Sequence, residues 1–414
     1  MVAPEPAVAA PARTGSNLDN VRRSNLAAVL GLAYAQRSAS RAEITRATGL
    51  NRSTVGGLVA ELVELGLVAE REPVATHHAG RPSPVIVPRE DILAIAVNPE
   101  VDAVTIGLVS LSGTVLKRVR HETPEVPTPE EVVDIVAAVV ADMDGEPQGS
   151  IRTVGVGLAV PGLVREQDGV VVLATHLDWH NVPLAGMLGT ALGLPVAAAN
   201  DASTGHVAET LFGAGRGVRN HVYLNGVASG IGGGMAVDGR ILRGASGFAG
   251  EFGHTLVNSA GNRCHCGAQG CLEAEVRQEH LLAALELGSS GLEELEGSLL
   301  EHVSRPEGPD AEVLEAVHRQ MDFLAEALRG TVNVFNPELV ILGGFLGTLY
   351  SADPDRMAET VRSHALKGPR EEVRFARAEL GADLLLVGAA HLAFAPFLAD
   401  PASILTTAAA GSRD

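Results

Sequence analysis

The chain has 414 residues, 46% of them hydrophobic, enough for two or three folded units with buried cores. Its net charge of −19 excludes a nucleic-acid-binding surface over most of the molecule, because phosphates are repelled by an acidic body. The cysteines number three, all between positions 264 and 271, which excludes a disulfide framework and points to a metal instead. Residues 1–17 are rich in Pro and Ala and lack the basic and apolar regions of a signal peptide, so they read as a disordered leader. No uninterrupted apolar run approaches the ~20 residues that span a bilayer, so a cytoplasmic protein with no membrane partner is expected.

The charge is unevenly spread. Residues 1–60 carry Arg13, Arg22, Arg23, Arg37, Arg41, Arg46 and Arg52 against Glu5, Asp19 and Glu43, a net +4 on a chain of −19. The spacing of Leu26, Val29, Leu30 and Ala33 predicts an amphipathic helix over 18–36. Ser40 followed three residues later by Glu43 is a capping box that starts a second helix, with Ile44 and Ala47 facing inward and Gly49 as its stop. A third helix, from about Asn51 to Leu65, has its apolar stripe at Leu58, Leu62 and Leu65. A short strand at 66–68 and another at 85–87 then make a two-stranded wing.

Three helices and a wing form a winged helix-turn-helix, whose third helix enters the major groove of double-stranded DNA. Its first turn offers Asn51, Arg52, Ser53 and Thr54, with Arg52 the leading base or phosphate contact and Arg41 nearby. Arg81, between Gly80 and Pro82 in the wing, fits a minor groove. Gly56-Gly57 is unexpected inside a recognition helix, where two glycines cost about 2 kcal/mol relative to alanine.

From residue 92 the pattern changes to α/β. Strands at 92–97, 104–111 and 114–119 precede a helix at 129–143, and a further strand at 153–160 ends at Pro161-Gly162. The buried strand at 195–199 runs into Asn200-Asp201. A polar pair at a strand's carboxyl end is placed to meet a ligand: Asp201 to take a proton from a sugar hydroxyl, Asn200 to orient it. The alternative is a helix N-cap. The glycine-rich run 228–234 is a hairpin turn or a phosphate cradle.

His254, Cys264, Cys266 and Cys271 supply four ligands for one zinc ion, with glycines at 267 and 270 that let the chain wrap it. Four protein ligands leave no open position, so the metal is expected to be structural. His265 is expected to sit exposed between two ligands.

These motifs resemble the ROK family of sugar kinases and transcriptional repressors. The features that carry the resemblance are Gly250-Glu251 through His254, the spaced cysteines with Glu273, Asn200-Asp201, the run 159–162, and the apolar run ending at Gly343-Gly344. It implies an actin-like ATPase fold of two lobes behind the winged helix-turn-helix. The expected domains are 18–88 for the head and 89–398 for the body, with a small lobe at about 89–199 plus a C-terminal helix at about 381–398. The large lobe spans about 200–380, and a disordered tail follows from 399. The resemblance also implies a sugar site of Gly162, Asn200, Asp201, Glu251, His254 and Glu273, with Asp201 matching the kinase base. His254 would place one ring nitrogen on zinc and the other toward the sugar.

The kinases open with an Asp-x-Gly-Gly-Thr-Lys phosphate loop, where this chain reads Asn98-Pro99-Glu100-Val101-Asp102-Ala103. The glycines and lysine are missing, and two carboxylates stand where phosphate would lie. The expectation is therefore a sugar-responsive regulator, a homodimer or homotetramer acting as repressor at operator DNA, with no catalysis. The alternative is an active ATP-dependent sugar kinase carrying a DNA-binding head.

Overall fold

The computed structural model describes residues 18–72, 84–144, 152–245, 247–288, 294–305 and 308–403. The wing tip with Arg81, the residues before 18 and those after 403 lie outside this range. Two compact units emerge: residues up to 89 together with those from 395, and residues 90–394.

The first unit contains α1 (Leu18–Gln36), β1 (Ala39–Ser40), α2 (Arg41–Thr48), α3 (Arg52–Glu64), β2 (Val68–Arg71) and β3 (Val85–Pro88). Leu26, Val29, Leu30, Ala33, Ile44, Leu58 and Leu62 are buried, as their spacing predicts. Ala47 instead is exposed, because the two-turn α2 presents only Ile44 to the core. The capping box forms: Glu43 N donates to Ser40 Oγ, and Ser40 N donates to Glu43 Oε2 at 2.8 Å. That backbone hydrogen bond holds the Glu43 carboxyl below the usual carboxylate range. The sheet has three antiparallel strands in the order β1-β3-β2, not two. β1 pairs Ala39 with Ile86 and is too short to show a periodicity.

The C-terminal end departs from expectation as well. Residues from 395 group with the head, Pro401–Ser403 forms a 3-10 turn, and Asp400 accepts hydrogen bonds from Arg23. Residues 399–403, expected in a disordered tail, thus form the end of a helix and a turn.

The second unit holds two five-stranded sheets. The first comprises β4 (Ile92–Pro99), β5 (Ala103–Ser110), β6 (Val115–Glu122), β7 (Arg152–Val160) and β11 (Val196–Asn200), in the order β11-β7-β4-β5-β6. α4 (Pro129–Asp144) and α5 (Leu184–Leu192) accompany it. Between β7 and α5 lies a separate three-stranded sheet of β8 (Leu163–Arg165), β9 (Val170–Ala174) and β10 (Trp179–Val182).

α6 (Asp201–Phe212) leads into the second sheet. Its strands are β12 (His221–Val227), β13 (Gly230–Val237), β14 (Arg240–Ile241), β15 (Leu339–Gly343) and β16 (Arg374–Arg377), in the order β14-β13-β12-β15-β16. Each sheet is an antiparallel three-stranded meander extended by two parallel strands, so the body repeats one topology twice. Helices α7 (Leu272–Glu275), α8 (Gln278–Ala284), α9 (Leu295–Val303), α10 (Ala311–Phe335), α11 (Gly344–Ala352), α12 (Pro354–His364) and α13 (Lys367–Glu372) belong to the second half, and α14 (Leu384–Ala399) closes the chain.

α14 lies in a helical stretch, 381–399, that is long and apolar enough to cross a membrane by composition. Its packing explains that composition. A Cβ at Gly157 would come 1.7 Å from the Ala389 carbonyl oxygen and one at Gly107 2.8 Å from Leu386, so glycines in the sheet admit this helix at close range.

Candidate functional site

β11 runs parallel to β7, which places Asn200 beside Val160 and brings both strand ends to one edge. Asn200 Nδ2 donates to the Gly162 carbonyl at 2.9 Å, while its Oδ1 accepts from Ser203 N at 2.9 Å. Asn200, not Asp201, is therefore the cap of α6. Gly162 adopts φ +120°, and a Cβ there would lie 2.3 Å from the Leu173 carbonyl oxygen, so only glycine fits.

Asp201 Oδ1 accepts from Ala202 N at 2.7 Å and Asn200 Nδ2 at 3.1 Å. Burial pushes its carboxyl from 3.8 up to about 6, and repulsion from Glu251 adds to this. Burial also raises Glu251, with Glu273 adding and His254 opposing. His254 Nε2 lies 3.9 Å from Glu251 Oε2, and His254 Nδ1 lies 3.3 Å from Glu273 Oε1. The six residues expected at a sugar site thus form two contacting groups, Gly162–Asn200–Asp201 and Glu251–His254–Glu273, whose carboxylates Asp201 and Glu251 feel each other's charge. A binding surface rich in carboxylates, an amide and an imidazole suits a polyhydroxylated ligand, whose hydroxyls both donate and accept.

The four expected metal donors also converge. The ligand atoms of His254, Cys264, Cys266 and Cys271 all lie within 4.8 Å of one another. Cys266 Sγ and Cys271 Sγ are 3.8 Å apart, as are Cys264 Sγ and His254 Nδ1. That separation is far beyond the ~2.05 Å of a disulfide. It matches the ~3.8 Å edge of a tetrahedron built on ~2.3 Å metal–sulfur bonds. Burial, then Glu273, pushes the Cys264 thiol up, a preference that a bound cation reverses. Nδ1 faces Cys264 Sγ and, more closely, Glu273, while Nε2 faces Glu251, so His254 touches residues of both sets.

Several participants were not legible in the sequence. His265 is exposed as expected, yet its Nε2 lies 3.1 Å from Glu273 Oε1, an oxygen that is also 3.1 Å from Cys264 Sγ. Cys264, His265 and Glu273 make a second set of converging donors. The buried Glu275 accepts from both nitrogens of Asn262 and so anchors the loop that carries the cysteines. His176 approaches from the turn after β9. Beyond Glu273 opens a cavity of about 420 Å³, lined by His176, Ser229, Arg263, His265, Arg277 and Phe345 among others; Asn200 and Asp201 do not line it. Ala228-Ser229 is the two-residue turn between β12 and β13, and a Cβ on Gly230 would meet Glu273 Oε2 at 2.5 Å.

The segment 98–103 is a tight hairpin. Asn98 is buried and donates to the Ala159 carbonyl at 2.9 Å. Thr105 Oγ1 donates to Glu100 at 2.9 Å, and Arg120 pairs with Asp102 at 3.0 Å and reaches Glu100 at 3.9 Å. The expected repulsion by two bare carboxylates is therefore corrected: Arg120 partly neutralises them. The absence of a glycine cradle remains.

In the head, Asn51 caps α3, its Oδ1 accepting from Thr54 N at 2.9 Å and Ser53 Oγ at 2.7 Å. Arg41 is paired with Glu70 rather than free. Arg52 is exposed, with no side-chain partner among the described residues. A Cβ at Gly57 would touch nothing within 4 Å and one at Gly56 would make only ordinary contact with Arg41, so packing within the chain explains neither glycine.

The ROK family model matches residues 94–395. The chain belongs to the ROK family. An IclR helix-turn-helix domain model matches residues 26–72. A xylose repressor of Bacillus subtilis (strain 168) is 30% identical over 307 residues, covering 73% of this chain and 77% of the repressor. A glucokinase of Thermotoga maritima is 35% identical over 259 residues, covering 58% of this chain and 78% of the enzyme. Among solved structures, a ROK family transcriptional regulator described as a homolog of the E. coli MLC protein matches in fold with a TM-score of 0.74 at 24% identity, over 93% of this chain and 98% of that one. A ROK family glucokinase from Streptomyces griseus, in complex with glucose and AMPPNP, matches with a TM-score of 0.60 at 28% identity, over 72% and 98%. The chain thus combines a helix-turn-helix head with the actin-like body that the family's kinases and regulators share.

Proposed function

We propose that this ROK family member is a cytoplasmic, sugar-responsive repressor that binds double-stranded operator DNA as a homodimer or homotetramer. The observation that carries the reading is one chain holding both a candidate recognition helix, whose Arg52 has no side-chain partner among the described residues, and the sugar-type groups Gly162–Asn200–Asp201 and Glu251–His254–Glu273. The repressor relatives at 30% identity support it.

Asn200, Asp201, Glu251, His254 and Glu273 bind the effector's hydroxyls; Asp201 accepts a hydroxyl proton in a hydrogen bond rather than removing it. His254, Cys264, Cys266 and Cys271 hold one zinc ion, which when bound cross-links the loop as a structural staple and supplies no catalysis. Its place is the wall of the sugar site, because His254 belongs to both sets and Glu273 touches Cys264 Sγ. The self-satisfied hairpin at 98–103 has no cradle for a triphosphate, so the body serves as a sensor.

The alternative, an active kinase with a DNA-binding head, draws on the glucokinase relatives. Footprinting of the chain's own upstream DNA with a panel of hexoses and pentoses tests the proposal. Release by one sugar supports it, because a ligand shifts such an equilibrium only through its differential affinity for the two states. A footprint that no sugar alters, together with sugar-dependent ATP turnover in a coupled assay, would replace it with the kinase.

A further inference from the structure

The cavity beyond Glu273 is built almost entirely from one half of the body. Among the described residues that line it, His176 is the one from the segment before Asp201; every other comes from position 227 onward. His176 sits in the 3-10 turn Thr175–Leu177, between β9 and β10. The turn is pinned on both sides. Ala174 before it and Leu177 and Trp179 after His176 are buried, and Trp179 Nε1 donates to the Pro127 carbonyl at 3.1 Å. A residue presented from so fixed a turn is aimed, not trailing.

The His265 ring meets the His176 ring edge-on, with centroids 4.8 Å apart and planes at 77°. Ser229, in the turn between β12 and β13, lines the same cavity. His265 Nε2 then reaches Glu273 Oε1 at 3.1 Å, and that oxygen lies 3.1 Å from Cys264 Sγ and 3.3 Å from His254 Nδ1. An unbroken series of contacts therefore runs from the small lobe to two of the four metal donors.

We propose that His176 is a positioning residue that clamps the metal-bearing loop against the small lobe, so that lobe closure and metal retention are one coupled equilibrium. The inference rests on the reading of His254, Cys264, Cys266 and Cys271 as a zinc site. If closure tightens the hold on zinc, zinc tightens closure by the same factor, since coupling between sites is reciprocal. An effector that closes the lobes then protects the metal, and the staple does more than stiffen a wall: it reports the lobe position to the sugar site through Glu273.

The test follows zinc transfer from the full-length chain to a chromophoric chelator, for wild type, His176→Ala, His176→Gln, His265→Ala and the His176→Ala/His265→Ala double variant. Circular dichroism confirms that each is folded. His176→Ala is expected to release zinc about tenfold faster, within the range typical of coupled sites. His176→Gln, which keeps a planar polar group to pack on the His265 ring, recovers part of the loss. The double variant releases no faster than the faster single one. A sugar that raises the melting temperature of wild type slows its zinc release but not that of His176→Ala. Wild-type release rates in His176→Ala and His176→Gln, or fully multiplicative effects in the double variant, overturn the clamp while leaving the zinc site standing. A wild-type chain that takes up no zinc at all overturns both.

Discussion

Replacing Asp201 by Asn separates the cost of the proposed sugar site from its use. The Asp201 carboxyl is half-buried near Glu251, and its affinity for a proton rises from 3.8 to about 6 on folding. A folded state that binds the proton more tightly loses stability as pH rises through that window, and bears the whole cost above 6. At about 1.4 kcal/mol per tenfold change, the full shift is worth about 3 kcal/mol, which partial exposure trims to about 2. Asparagine keeps an oxygen for the hydrogen bonds from Ala202 N and Asn200 Nδ2 and carries no charge.

Asp201→Asn is therefore expected to make the sugar-free body about 2 kcal/mol more stable at pH 8, and about 1 kcal/mol more stable at pH 5. It is expected at the same time to abolish the sugar-dependent thermal shift. Urea denaturation followed by fluorescence isolates the body, because Trp179 is the chain's single tryptophan and is buried there. A variant less stable than wild type at pH 8, or an advantage that does not change with pH, would refute the reasoning.

Four further outcomes are expected. Cys264→Ser should lower bound zinc from about one equivalent per chain and weaken sugar binding while the head still binds DNA, measured by metal analysis and gel shift. Arg52→Ala should cost about 1–3 kcal/mol of operator affinity, and if it meets a phosphate should also reduce the salt dependence by about one ion, read from a salt titration. Gly57→Ala should raise head stability by about 1 kcal/mol, measured by thermal denaturation, since no described residue blocks a methyl there. Gly162→Ala should destabilise the body by about 3 kcal/mol in the same urea assay, because φ +120° and the Leu173 carbonyl both oppose a Cβ.

Local signals carried the head and the metal donors. A capping box needs residues only three positions apart, so Ser40 and Glu43 start α2 as their spacing predicts. The helical spacing from Leu26 to Ala33 buries those residues in the described core. The four candidate metal donors span only eighteen positions, so short-range spacing sufficed to mark them as a group that converges. Asn200-Asp201 was marked by its place after an apolar strand.

Other features were decided only by packing between distant segments. Arg41 and Asn51 are polar residues in a plausible DNA contact region, but a partner 29 positions away occupies the first and a cap bond occupies the second. Arg120 changes the electrostatics of the 98–103 hairpin from a neighbouring strand, where charge counting along the chain does not see it. His176 carries no motif, and only the β9–β10 turn brings it to His265, 89 positions later. Residue type and short-range periodicity determine which groups have metal- or sugar-binding chemistry and which local elements hold them. Which of those groups are already spent on one another, and which residues close over the site, depends on contacts whose partners are far apart in the chain and meet only when the two sheets have formed.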